Sequence, residues 1–191
     1  ADIILSLWGQ DQKINVFQND TEALLRDLDS GKLDFVISHS QPRRWAQKWH
    51  VMRVLSRKMV VIAHPSLKSL RNRFPESLQG TKFLGYSTKN PLRGDLLDIF
   101  DMHQIQPRIV GECDDFSIIL RLCMNRKITS VLSEQSASDA LKAGKLVKIG
   151  ELTGLSSDVW LIYDASRQKF VKGLKTNLSD YSIRQEVRNT T

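Results

Sequence analysis

The chain has 191 residues, with 28 Lys and Arg against 21 Asp and Glu, which gives a formal net charge of +7. No apolar run approaches the roughly 18 residues needed to cross a bilayer, so the sequence predicts no membrane span and no membrane partner. The composition is typical of a soluble globular protein, and the basic balance favours partners of negative charge.

The two cysteines, Cys113 and Cys123, form no CxxC arrangement and have no histidine at ligand spacing. A zinc site is therefore not predicted, and we expect neither a metal nor a cofactor. Cys123 falls on an apolar helical face and is predicted to be a core residue. Few thiols and no disulfide framework fit a reducing cytoplasm.

The chain starts with ADIILSLWGQ, which has no basic segment and no small-residue cleavage site, so no signal peptide is predicted. Because it begins inside an apolar segment, we expect the sequence to start within a longer protein. Residues 13–18, KINVFQ, alternate apolar and polar side chains and predict a strand. Asp20 or Thr21 then caps a helix that ends at Gly31.

The segment LDFVIS (33–38) is nearly all apolar, as in a parallel strand covered on both faces. With the preceding strand and helix it predicts a β-α-β unit. A basic run with interleaved aromatic residues comes next. Such a run can bind single-stranded nucleic acid or phosphate groups, but a solvent-exposed face is the simpler interpretation. Its residues are Arg43, Arg44, Trp45, Lys48, Trp49, His50, Arg53, Arg57 and Lys58.

Strands and helices then alternate strictly through the middle of the chain, which predicts a mostly parallel α/β sheet with right-handed crossovers. The tripeptide Gly-Lys-Leu that begins at Gly31 recurs at Gly144, where a helix again ends and a strand begins. The predicted strands are 82–87, 107–112, 128–133 and 145–150, and the predicted helices are 90–104, 114–125 and 134–144.

Two long β-branched segments, 56–66 and 156–166, interrupt this alternation, and a terminal helix over 167–183 follows the second. The economical arrangement has two Rossmann-like lobes joined by two crossover strands. Lobe I comprises 1–60 with 160–191, and lobe II comprises 61–159. Ligands of open parallel sheets bind at the carboxyl ends of the strands, so a cleft between the lobes is the expected binding site.

This order of segments resembles the effector-binding domain of LysR-type transcriptional regulators. The resemblance is carried by TEALLRDLDSGKLDFVIS, VVIAHPS, IVGECDDFSIILRL, LKAGKLVKIGEL and VWLIYDASRQKF. It implies a fold like that of type 2 periplasmic binding proteins. It also implies a cytoplasmic protein that is not an enzyme, senses a small molecule or ion in the cleft, and associates as a homodimer or tetramer. DNA contact would belong to an N-terminal helix-turn-helix that is absent from this sequence. The combination of GECDD with LRDLDSGKLDFVIS resembles, more narrowly, the branch that controls sodium/proton antiporters.

One departure from the family lies after the middle helix, where a Gly-rich turn is usual and this chain has Asn125-Arg126-Lys127. We expect Asn125 to adopt the left-handed cap conformation in its place. The strand that follows ends at Ser133, which is a candidate for the wall of the effector pocket.

In lobe I the candidate effector residues are Asn19 and Thr21 at a helix start, with Ser38 and His39 at the end of a strand. Backbone amides at helix starts are ready anion donors. In LysR-type domains a hydroxyl residue near this helix often meets the effector, so the resemblance implies that role for Thr21. Capping and a simple turn explain the same residues without a ligand. The charge of His39 changes near neutral pH, which leaves pH sensing open.

In lobe II the candidates are Ser87 and Thr88 before one helix and Asp114 and Asp115 before the next. Capping and turn chemistry account for Ser87 and Thr88, and the two acids stabilise the helix dipole without a ligand. The alternative is that Glu112, Asp114 and Asp115 hold a cation or a basic ligand group.

No nucleophile elbow, phosphate loop or HExxH motif is present, so catalysis finds no support. Two other functions share the predicted fold. A solute-binding protein of a transporter has the same two-lobed plan, and an α/β enzyme would place its active site in the same cleft.

Overall fold

The computed structural model describes residues 13–40 and 48–168. The chain divides into two compact units. Unit I contains the described residues up to Leu55 and from Asp158 onward, and unit II contains Ser56–Ser157. None of the helices in the described ranges is long and apolar enough to span a membrane.

The described part of unit I contains one helix and one short strand, together with the ends of two long strands. Its elements are α1 (Thr21–Asp29), β1 (Phe35–Ser38), the start of β2 (His50–Ala63), the end of β6 (Val147–Tyr163) and a 3-10 turn (Ala165–Arg167). Helix α1 begins as predicted, because the Asp20 side chain accepts a hydrogen bond of 2.8 Å from Ala23 N. It is followed by Gly31 in the left-handed region, with φ at +75°.

Strand β1 pairs antiparallel with β6, from Phe35 opposite Tyr163 to Ser38 opposite Trp160. Both faces of the pair are covered. On one face, Val36 packs with Leu25 and Leu28 of α1. Val159 of β6 belongs to a separate cluster of buried apolar residues. The predicted burial of β1 is confirmed, but its predicted parallel pairing is wrong, because its described partner is the returning strand.

The strand predicted over 13–18 is also wrong, because these residues adopt no regular secondary structure. Val16 and Phe17 remain 60% and 64% exposed. Alternating apolar residues form a strand where a partner strand satisfies the backbone, and no ladder among the described residues includes this segment.

Among the described residues, unit II contains most of the regular structure, and its three predicted strand-helix pairs are confirmed. Its elements are the remainder of β2, 3-10 turns at Pro65–Arg73 and Glu76–Leu78, β3 (Lys82–Gly85), α2 (Leu92–Met102), β4 (Arg108–Glu112), α3 (Phe116–Asn125), β5 (Thr129–Ser133), α4 (Glu134–Lys142) and the start of β6.

The strand order in unit II is β6-β2-β5-β3-β4, and the sheet is mixed rather than mostly parallel. Strand β3 is parallel to β4 and β5, whereas β2 is antiparallel to β5. The helical crossovers α2 and α3 produce the parallel pairs, because a parallel connection needs a long crossover. No helical crossover joins β2 directly to β5, so this pair is free to run antiparallel.

The two strands predicted over 145–150 and 156–166 are one continuous strand of 17 residues, β6. Gly154 lies between the two predicted segments and has φ at +90°. A glycine inside a strand often marks an irregularity that the ladder tolerates, and here the strand continues through it. Strand β2 likewise begins earlier than predicted, at His50, so part of the basic run is strand.

Two further expectations concern helix ends. Asn125 is the last residue of α3 and is not left-handed. Its Nδ2 donates to Arg121 O at 2.7 Å, and Arg126 leaves the helix in an extended conformation. The terminal helix predicted over 167–183 lies almost wholly outside the described residues, as do Arg43, Arg44 and Trp45.

We predict that Gly150→Ala destabilises the protein by about 1–3 kcal/mol, because overpacking forces neighbouring side chains to shift. A Cβ at Gly150 would lie 2.3 Å from Cδ1 of Phe74, whose ring packs on the unit II core. Urea denaturation measures the change. The control is Gly94→Ala in α2, where an added Cβ has no atom within 4 Å. That variant should be neutral or more stable by up to about 1 kcal/mol. Equal stability of the two variants would contradict the prediction.

Candidate functional site

The start of α1 and the end of β1 bring two predicted site residues together in unit I. Thr21 Oγ1 and Ser38 Oγ lie 3.2 Å apart, although 17 positions separate them in sequence. Ser38 is only 5% exposed, and its Oγ also accepts a hydrogen bond of 3.0 Å from Ser40 N. This hydroxyl pair is the polar centre of the unit I site.

The residues around the hydroxyl pair divide into those bound within the chain and those at the surface. Asp20 serves as the helix cap, and Asn19 Oδ1 accepts from Asp20 N at 2.9 Å. The Asp20 carboxylate accepts from one backbone amide of the first turn, the amide of Ala23. The backbone amides of Thr21 and Glu22 are left for another acceptor. Amides and hydroxyls at one helix start form a donor set suited to an anionic or carbonyl oxygen. His39 is exposed beside this set.

In unit II, Asp114 binds the loop between β3 and α2. Its carboxylate accepts hydrogen bonds of 3.0 Å from Ser87 N and 3.0 Å from Asn90 Nδ2, and a third from Ser87 Oγ. The structure therefore joins two predicted residues, Ser87 and Asp114, through direct hydrogen bonds. Thr88 lies exposed at the tip of the same loop.

The pKa of Asp114 is lowered from its ordinary value. Desolvation acts to raise it, but the hydrogen bonds from Ser87 and Asn90 and the charge of Arg93 together outweigh that effect. The carboxylate is thus held ionised as an acceptor for the loop.

A second set of contacts also holds the loop between β3 and α2. Arg93 Nη1 donates to the backbone oxygen of Tyr86 and pairs with Glu112. The buried Tyr86 hydroxyl donates to Val131 O at 2.6 Å. Burial and the nearby Asp114 charge raise the pKa of Tyr86, so it stays a neutral donor. The prediction missed Asn90, Arg93 and Tyr86, although Asn before Pro91 is a turn signal that pointed to Asn90.

Two other candidates serve as helix caps. Asp115 caps α3 by accepting from Ser117 N at 2.8 Å and Ile118 N at 3.0 Å. Ser133 caps α4 by accepting from Ser136 N at 3.2 Å, and the two hydroxyls lie 2.7 Å apart. Capping, the simpler of the two interpretations for Asp115, is therefore observed there, and Ser133 caps a helix as well.

The proposed cation at Glu112, Asp114 and Asp115 gains no geometric support. Each of these carboxylates already has a partner, and no group of three or more His, Cys, Asp or Glu among the described residues could hold a metal ion. Cys123 is buried as predicted, and burial raises its pKa to about 12. Its thiol is consequently unreactive at neutral pH.

Comparisons with known proteins identify the family. The model described as the LysR substrate binding domain matches residues 9–173. The match covers most of the chain, so the protein belongs to the LysR substrate-binding domain family, as its sequence predicted. A search of curated proteins found no significant match.

Solved structures with the same fold include three regulators of low sequence identity. The apo regulatory domain of HypT from Salmonella typhimurium is 12% identical, with a TM-score of 0.75, over 94% of this chain and 88% of that one. The CcmR regulatory domain from Synechocystis PCC6803 is 16% identical, with a TM-score of 0.59, over 81% and 78%. Full-length CbnR complexed with its target DNA is 14% identical, with a TM-score of 0.61, over 84% and 56%. These likenesses confirm the predicted α/β fold class, that of type 2 periplasmic binding proteins.

We predict that Asp114→Asn destabilises the protein by about 1 kcal/mol at pH 7, a value discounted for the exposure of the carboxylate. The pKa of Asp114 is lower in the folded protein than in the unfolded chain, where it is near 4. The ionised carboxylate therefore stabilises the folded state above that pH, and this contribution is lost as the pH falls through the folded-state pKa. The difference between wild type and variant should therefore shrink toward pH 3 in urea titrations. Asp98→Asn, on the exposed face of α2, is the matched control and should show no such pH-dependent difference. A constant difference from pH 7 to pH 3 would argue against the assignment.

Proposed function

We propose that this chain is the effector-sensing part of a LysR-type transcriptional regulator and acts by binding rather than by catalysis. The family match over residues 9–173 carries the proposal, and it favours a regulator over a transporter's solute-binding protein. In this proposal units I and II serve as the two regulatory lobes, and the whole protein acts in the cytoplasm. Assignment to the branch that controls sodium/proton antiporters remains a prediction.

The effector is proposed to be a small molecule or ion. Two neighbours of the same fold support this size class, since HypT has been solved bound to bromide and CcmR in complex with 2-PG. In unit I the effector would meet Thr21 and Ser38, where hydroxyls and helix-start amides converge. A ligand that presents a carboxylate, phosphate or carbonyl oxygen suits these donors.

DNA contact in the whole protein is proposed to lie outside this domain. CbnR, solved full-length on its target DNA, is a longer chain, of which the match covers 56%. Effector binding can change transcription only if it favours one arrangement of the regulator over another, through unequal affinity for the two. Self-association would transmit that change to a pair of DNA-binding domains, because a dimer of such domains binds two half-sites.

The edge strand β4 is the surface proposed for self-association. It ends the strand order of unit II, and Ile109 and Val110 are 47% and 43% exposed. Successive strand residues point to opposite faces, so both faces of β4 present apolar surface. Leu97 and Met102 add exposed apolar surface on α2, which leads into β4. An uncovered apolar edge strand invites pairing, and a second copy of the chain is the proposed partner.

We predict that Thr21→Val weakens effector binding by about five- to tenfold, because one hydrogen bond of about 1 kcal/mol is lost without a change in shape. A thermal-shift screen of metabolites and salts supplies the ligand, and calorimetry measures its affinity. Thr153→Val, on the exposed part of β6, is the matched control and should bind like the wild type. Unchanged affinity in Thr21→Val would remove Thr21 from the site.

We predict that Val110→Lys shifts the protein toward monomer, because a charge on the edge strand opposes pairing with a second copy. Sedimentation velocity across a concentration series measures the shift. Thr153→Lys adds the same charge to an exposed strand position elsewhere and should leave association unchanged. If both variants associate like the wild type, β4 is not the interface.

A further inference from the structure

Arg57 in β2 has an unsatisfied donor. Its Nε is buried and has no hydrogen-bond partner, and none of the ion pairs among the described residues includes it. Two cations of the same strand are paired, Arg53 with Asp158 and Lys58 with Glu151, each at 3.5 Å. A partly buried guanidinium without an acceptor is unfavourable, so its presence calls for a physical reason.

The acids of adjoining elements in unit II do not supply this acceptor. Glu134 at the start of α4 pairs with Lys148 at 2.7 Å, and Glu151 of β6 pairs with Lys58. Both carboxylates are therefore engaged by lysines. The counter-charge for Arg57 is not provided by either of them.

The strand register places Arg57 near two hydroxyls. Met59 lies opposite Ser133 in the antiparallel β2-β5 pair, and Arg57 is two residues from Met59 on the same face. Arg57 is thus a diagonal neighbour of Ser133, a separation that a long side chain can bridge. The hydroxyls of Ser133 and Ser136 lie 2.7 Å apart at the start of α4.

We propose that Arg57, with the Ser133–Ser136 hydroxyl pair, forms a binding site for a small carboxylate or oxyanion. A guanidinium presents donors in a planar fork that matches both groups. Its buried Nε has no hydrogen-bond partner within the described residues. The anion supplies the missing acceptor and charge. Ser133 is also a predicted effector residue, so the inference rests on the proposed sensing function and extends it to unit II; its tests use Arg57 and leave Thr21 unchanged.

Side-chain NMR tests the site directly. The Nε–H resonance of Arg57, assigned by its disappearance in Arg57→Lys, is followed while the wild type is titrated with sodium acetate or sodium phosphate. Sodium chloride at equal ionic strength is the reference. A saturable shift with acetate identifies a carboxylate site, and one with phosphate identifies an oxyanion site. The absence of a saturable shift with both salts would overturn the proposal.

Thermal melting of the same protein gives a second, independent readout. Acetate or phosphate far above its Kd should raise the Tm of the wild type by about 2–5 °C more than chloride does. Arg57→Met should lose this increment, and its Tm in chloride should equal or exceed that of the wild type, because the unpaired charge is gone. Arg53→Met, in the same strand, should keep the increment. Equal increments in wild type and Arg57→Met would show a general salt effect and overturn the proposal.

Discussion

The requirement that every helix start satisfy its free amides organises the candidate sites of this protein. The first four amides of a helix have no partner within the helix, so side chains, water or a ligand must accept from them. Asp20, Asp115 and Ser133 meet this need for α1, α3 and α4. The carboxylates of Asp20 and Asp115 are thereby committed to the fold, which leaves neighbours such as Thr21 and Ser38 for a ligand.

The buried strand β5 holds the unit II candidates in place. All five of its residues are buried, and the hydroxyls of Thr129 and Ser130 are satisfied by the adjoining strand β3. Thr129 Oγ1 donates to Lys82 O at 3.0 Å, and Ser130 Oγ donates to Leu84 O at 2.8 Å. Buried polar groups that are fully hydrogen-bonded rigidify a core and specify its register. That register sets Ser133 at the start of α4 and, through the pair with Met59, the position of Arg57.

Features that depend on local chemistry could be predicted from the sequence. The cap at Asp20, the stop at Gly31 and the strand-helix order of unit II all follow from neighbouring residues. Features that depend on distant partners could not. The pairing of β1 with β6, the unbroken course of β6 and the lack of a strand at 13–18 are decided by ladders between remote segments.

The candidate sites show the same division. Thr21, Ser38, Ser87 and Asp114 were each identifiable from their places at helix and strand ends. Their hydrogen-bonded pairing was not, because it joins residues 17 and 27 positions apart. The unsatisfied Nε of Arg57 has no sequence signal at all, since a lone arginine in a basic run is usually solvated.

Hydrogen exchange with and without the small molecule or salt that stabilises the protein in the screen tests the central claim most directly. If the start of α1 senses the effector, amides of residues 21–23 and 38–40 become more protected, while the far end of α4 exchanges as before. A ligand that binds tightly and leaves both segments unprotected would contradict the account.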